Sequence, residues 1–290
     1  MPPLDGPVPD WLLSSAAAAT LFVIMFDIGL AVAPIEFRWV IERPGLVLRA
    51  LFSVVVTVPA IAWMVARALD MPRDAEIGIM LMAIAPGAPV ALRRALDAGG
   101  HRAFAPALQL LLAILAIASV PLWIDALDEY YASSVSIDPV NLARQVFFAQ
   151  LLPLCLGAAT RRAWDSGATW IEPRLRTLGS LLLIALVMLV LADVWKLVVV
   201  AGARVAVAVV AVTLLALAVG HALGGPDTAT RTSTAISSAA RNTGLALLVA
   251  TLNKAAPGII ATVLAYFLLS ALTVIPYVIW RRRATQPAMT

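Results

Sequence analysis

The chain has 290 residues, of which 62% are hydrophobic and 13% charged, and its mean hydropathy is +0.94. That balance excludes a soluble globule of this length and marks an integral membrane protein. Its formal net charge of +4 comes from arginines that flank apolar runs, not from a solvent-facing basic surface, so no nucleic-acid partner is expected.

Apolar runs of roughly 20 residues, the length at which a helix crosses a hydrocarbon core, recur without strand-like alternation. An all-α membrane protein is expected, a single integral membrane domain over 1–290, and a β-barrel is not. In chain order the pattern predicts nine transmembrane helices, at 11–33, 44–68, 75–98, 102–124, 140–161, 175–195, 199–223, 228–253 and 256–280. The first follows an acidic leader (Asp5, Asp10) with neither a basic start nor a small-residue cleavage site, so it reads as a retained helix. The third contains "IAPGAPVALRR", with Pro86, Gly87 and Pro89 in mid-span. The fourth holds a lone amide, Gln109, suited to the same region or to a plain interhelical hydrogen bond. The fifth holds the chain's single cysteine, Cys155, expected as a small core side chain. The eighth contains "SSAARNTGLALL", which sets Ser237, Ser238, Arg241, Asn242 and Thr243 at mid-span depth.

Lys and Arg gather on the cytoplasmic side of inserted proteins. With the N-terminus outside, fourteen basic residues face inwards (Arg38, Arg43, Arg49, Arg93, Arg94, Arg102, Arg161, Arg162, Arg174, Arg176, Arg231, Arg281, Arg282, Arg283) against six outwards (Arg67, Arg73, Arg144, Lys196, Arg204, Lys254). This asymmetry supports nine spans, N-terminus out and C-terminus cytoplasmic. Arg93 and Arg94 read as topology-setting anchors, and His101 and His221 as solvated ends of helices. Trp11, Trp39, Trp123, Trp195 and Trp280 fall near span ends, as interfacial anchors do.

The two interrupted spans occupy corresponding halves, and each precedes a helix opened by small residues and Pro. Helices two to four and seven to nine then form inverted repeats with two crossed discontinuous helices, the arrangement by which secondary transporters build a polar site at the midplane. Irregular backbone at that depth is tolerated only where protein or a water-filled cavity satisfies it.

Four stretches carry a resemblance. "LFVIMFDIGLAV…EF" at 21–37, "RPGLVLRALFSVVVTVPAIAWMVARALDMP" at 43–72, "PGAP…AGG" at 86–100 and "RNTGLALLVAT" at 241–251 resemble, in order and spacing, the bile acid:sodium symporter family. The resemblance implies a core domain of two inverted units (helices 44–68, 75–98, 102–124, 199–223, 228–253 and 256–280). It implies a panel domain (11–33, 140–161 and 175–195) that rocks against this core. It implies a carrier in a bacterial-type inner membrane.

The chain departs from that family where sodium is bound. The family's first break reads roughly Pro-Gly-Gly-Thr-Ala-Ser-Asn, and its Ser and Asn ligands correspond here to Ala91 and Leu92, which offer no side-chain oxygen. The second reads Glu-Val-Gly-Met-Gln-Asn, and here Ser237, Ser238, Ala239, Ala240, Arg241 and Asn242 stand there. A guanidinium ~4 Å from a sodium ion repels it by roughly 4 kcal/mol at an effective dielectric of about 20. Sodium binding at the usual sites is therefore not expected, and protons are the alternative coupling ion. Arg241 presents a permanently charged fork for a carboxylate or phosphate, and the helix start near Asn242 adds amide donors. Substrate contacts are expected from Arg241, Asn242, Thr243, Ser237, Ser238, Gln109, Pro86, Gly87 and Ala88. Asp27 stands where the family has glycine in "MFGMGL". A buried acid of this kind is usually paired or functional, so an Asp27–Arg241 ion pair is expected to couple substrate or proton to the rocking.

The function expected is secondary transport of a small or amphipathic organic anion; the alternative is a transport-incompetent ligand-binding sensor or scaffold of the same fold. Neither cofactor nor resident metal is expected, and with no P-loop, HExxH or GxSxG motif, no enzymatic activity.

Overall fold

A computed structural model describes residues 9–31, 39, 41–131, 138–200 and 202–285, and among these every regular element is a helix. In order they are α1 (Asp10–Ala31), α2 (Pro44–Ala68), α3 (Arg73–Ile84), α4 (Pro89–Asp97), α5 (Phe104–Tyr131) and α6 (Pro139–Ala163). There follow α7 (Asp165–Val200), α8 (Gly202–Leu223), α9 (Thr228–Ala239), α10 (Thr243–Leu252), α11 (Pro257–Thr273) and α12 (Ile275–Thr285). Proline opens α2, α4, α6 and α11, where its missing N–H costs nothing and its fixed φ suits the first turn. The helix α2 carries a π turn at Ser53–Thr57, and α6 another at Phe147–Leu151.

Among the described residues seven helical rods are long and apolar enough to cross a membrane: α1, α2, α5, α6, α7, α8 and α11 continued by α12. The pair α3–α4, bent by 63° at its break, makes an eighth. The expected eighth span, 228–253, corresponds to α9–α10. Its first half, TATRTSTAISSA, is too polar to qualify as an apolar run and is instead enclosed by protein, with Thr230, Thr232, Ser233 and Thr234 fully buried. The hydroxyls of Thr232, Ser233 and Thr234 each bond a carbonyl four residues back, which lets a polar helix sit without unpaired donors. The expected start of the sixth span at 175 lies ten residues inside α7, which begins at Asp165.

Small residues set the packing, because lipid-immersed helices gain little from hydrophobic contact and associate by close approach. The helix α1 lies chiefly on α6 and α7. At its crossing with α6 a Cβ on Gly29 would stand 2.2 Å from the Leu154 carbonyl, and one on Gly157 2.2 Å from that of Phe26. Gly220 does the same for α8 against α9, where a Cβ would meet Ala235 Cα at 2.7 Å. The half-helix α10 touches α1 on one side and α11 on the other. Leu181, Ile184 and Met188 of α7 are exposed, as on a lipid-facing surface. Cys155, expected in the core, is exposed on α6.

Candidate functional site at the crossed breaks

The chain ceases to be helical at 85–88, and proline chemistry says which groups that frees. In a continuous helix the N–H of residue 86 would donate to Met82 O and that of residue 89 to Ala85 O. Both positions are proline, so both carbonyls lose the donor four residues on, and Met82 O keeps only a shorter-range bond from Ala85 N at 3.2 Å. Ala85, at ψ 88°, leaves the helical conformation and carries the N–H of Gly87 off the axis of α3, and Gly87 itself takes φ +76°. The first break is therefore rich in acceptors.

The second break, at 240–242, supplies the donors. Asn242 N donates to Ala85 O at 3.0 Å and Asn242 Nδ2 to Gly87 O at 3.4 Å. Arg241 Nε donates to Met82 O at 3.3 Å and its Nη2 to Ala83 O. Arg241 Nη1 is shared between Val54 O at 3.2 Å and Ser238 O at 3.3 Å. The two discontinuous segments thus meet, and four residues of one break are bound by two of the other. Asn242 also caps α10, its Oδ1 accepting from Leu245 N at 3.1 Å.

Two amides close the network. Gln109 Nε2 donates to Gly87 O at 2.7 Å, so this residue sits at the crossover and its bond is also an interhelical one. Gln150, in the π turn of α6, accepts from Asn242 Nδ2 at 3.2 Å and is fully buried. Sequence reasoning missed Gln150, one of three amides in its span with Asn141 and Gln145, and the one set deepest among apolar residues. Ser53 is a second omission, its Oγ lying 2.9 Å from Ser238 Oγ.

Beside the crossover lies a cavity of about 270 Å³. One wall is formed by Leu21, Ile24, Asp27 and Ile28 of α1 with Arg176 and Leu183 of α7; the other by residues 88–90 and 240–244, Arg93, Arg94 and Phe267. The starts of α4 and α10 border it, so the positive ends of two helix dipoles are on this side. Asp27 Oδ2 accepts from Arg93 Nη2. The ion pair expected between Asp27 and Arg241 is not formed, because the Arg241 guanidinium is turned away onto carbonyls. Arg93 and Arg94, read as anchors, both line the cavity. Arg176 pairs with Glu172 one turn earlier. Asp27 Oδ1 and Thr243 Oγ1 are buried and make no hydrogen bond among the described residues.

The cavity thus brings together Asp27, Ala88, Arg241, Asn242 and Thr243; Pro86, Gly87 and Gln109 belong to the crossover behind it, and Ser237 and Ser238 face away within α9. His221, expected as solvated, lies 2.8 Å from Tyr277 Oη through its Nδ1.

Comparison with known proteins places this architecture. A 145-residue stretch, half of this chain, is 24% identical to the "Uncharacterized sodium-dependent transporter YocS" of Bacillus subtilis (strain 168) and spans 44% of that protein. The model of the Sodium Bile acid symporter family matches residues 18–201, from within α1 past the end of α7 and including the first break. With well over half its length so matched and apolar helices throughout, this multi-pass membrane protein belongs to the sodium bile acid symporter family.

Proposed function

We propose that this protein is a secondary carrier of a small or amphipathic organic anion. In this reading α1, α6 and α7 form a panel that rocks against a core of α2 to α5 and α8 to α12. The carrier sits in a bacterial-type inner membrane with its N-terminus outside and its C-terminus cytoplasmic. The observation that carries the reading is the cavity between these two sets of helices. Its guanidinium groups (Arg93, Arg94, Arg176) and two helix starts suit a carboxylate or sulfonate, and its apolar walls (Leu21, Ile24, Leu183, Phe267) suit a hydrocarbon body. Its size is near the lower end of small-molecule sites, in keeping with a headgroup and part of a body. Thr243 Oγ1 and Asp27 Oδ1 stand ready to take polar groups of the solute.

Asp27 supplies the coupling. Its pair with Arg93 ties α1 to α4, that is panel to core. A substrate anion that takes Arg93, or a proton that takes Asp27, opens that tie and frees the rocking. Sodium is not the coupling ion through the family's usual positions, since Ala91 and Leu92 offer only apolar side chains there.

Uptake into proteoliposomes of a labelled bile acid, and of labelled aliphatic carboxylates of increasing chain length, tests the reading under imposed sodium, proton or no gradients. Uptake of one of them without a sodium requirement is expected, and Asp27→Asn is expected to flatten its pH dependence. Saturable binding with no uptake under any gradient would instead identify a sensor or scaffold.

A further inference from the structure

We infer that the Arg241 guanidinium is a built-in cation that holds the crossed half-helices together from within the chain, in the place of a mobile ion. Four carbonyls from three elements converge on it: Val54 of α2, Met82 and Ala83 of α3, and Ser238 of α9. Each has lost its own helical donor for an identifiable reason. Met82 lost it to Pro86, and Ala83 to the end of the helix at Ala85, whose ψ of 88° carries Gly87 N–H away. Val54 lost it to the π turn, in which Val58 N–H reaches past to Ser53 O. Ser238 lost it because Asn242 N–H crosses to Ala85 O.

Backbone carbonyls gathered from several segments are what a hard cation requires, and the ends of α3 and α9 bring negative dipole ends to the same point. A planar fork of N–H groups spreads one charge over all four acceptors. The residue is 5% exposed, and no acid among the described residues lies within ion-pairing distance of it. Its charge is therefore balanced by carbonyls alone, as a bound ion's would be. This inference concerns the resting architecture and stands apart from what the carrier moves.

Thermal melting of the purified full-length protein in detergent tests it without any transport assay. The wild type is expected to melt at the same temperature in sodium, potassium and choline chloride at matched ionic strength. Arg241→Ala is expected to melt lower by about 5 °C or more. Methylguanidinium, well below denaturing concentrations, is expected to restore at least half of that loss saturably, while choline and urea do not. A saturable, sodium-specific rise in the wild type overturns the inference, as does an alanine variant with wild-type melting or one that does not distinguish methylguanidinium from choline. Should the alanine variant fail to fold, Arg241→Lys and Arg241→Gln decide with the wild-type ion series. The lysine variant is expected to melt above the glutamine variant, and equal melting overturns the inference.

Discussion

Between Ile84 and Pro89 the helix stops because two prolines withdraw amide donors and a glycine turns left-handed, all of it written in four consecutive residues. Between Ala239 and Thr243 every amide is present, and alanine and arginine are good helix formers. Here the helix stops because Arg241 and Asn242 have better partners across the crossover than along their own axis. One break is local and rich in acceptors; the other is tertiary and supplies donors. A local break survives the loss of its neighbour, whereas a tertiary one depends on it, so the second should be the more fragile.

Substitutions rank accordingly, each read as thermal melting of purified protein. Arg241→Met keeps the length of the side chain and removes the donors it supplies to four carbonyls, of which Met82 O keeps only the bond from Ala85 N. It should cost about 3 to 5 kcal/mol, a fall of roughly 10 °C. Asn242→Ala removes the α10 cap and the bonds to Gly87 and Gln150; about 2 kcal/mol is expected. Gly87→Ala tests the local break. Its Cβ would meet nothing closer than Gln109 Nε2 at 3.5 Å, so only the left-handed backbone opposes it, at about 1 kcal/mol. Gln109→Leu is the mildest, since Gly87 O keeps Asn242 as a donor, and should cost less than about 1 kcal/mol. A Gly87 variant melting below the Asn242 variant would break the distinction between the two kinds of interruption.

The same distinction explains what the sequence makes legible. Pro86, Gly87 and Pro89 state their own consequence, because φ and a missing N–H are properties of the residue. Arg241 is conspicuous in the sequence, yet its partners are carbonyls, which every residue has and no pattern distinguishes. Sequence reasoning therefore aimed it at a solute or at Asp27. The actual partner of Asp27, Arg93, lies 66 positions away and looks like one more inward-side arginine. The early start of α7 was hidden for a different reason. "DSGATWIEPRLRTLG" has the composition of a loop, but Glu172–Arg176 is a pair four apart that suits a helix surface. Buried polarity was likewise a poor guide in α9, whose hydroxyls spend themselves on the helix's own backbone.

A guanidinium on a side chain differs from a dissolved ion in one respect that bears on energy conversion: it is never released. On the reading proposed above, a carrier built around Arg241 delivers no positive charge with its solute, so each turnover moves the anion's negative charge uncompensated unless a proton goes with it. Across a membrane that is negative inside, 100 mV is worth about 2.3 kcal/mol per charge. That voltage opposes accumulation of the anion and drives its expulsion, so such a device works downhill electrically as an exporter, and imports only with a proton to cancel the current.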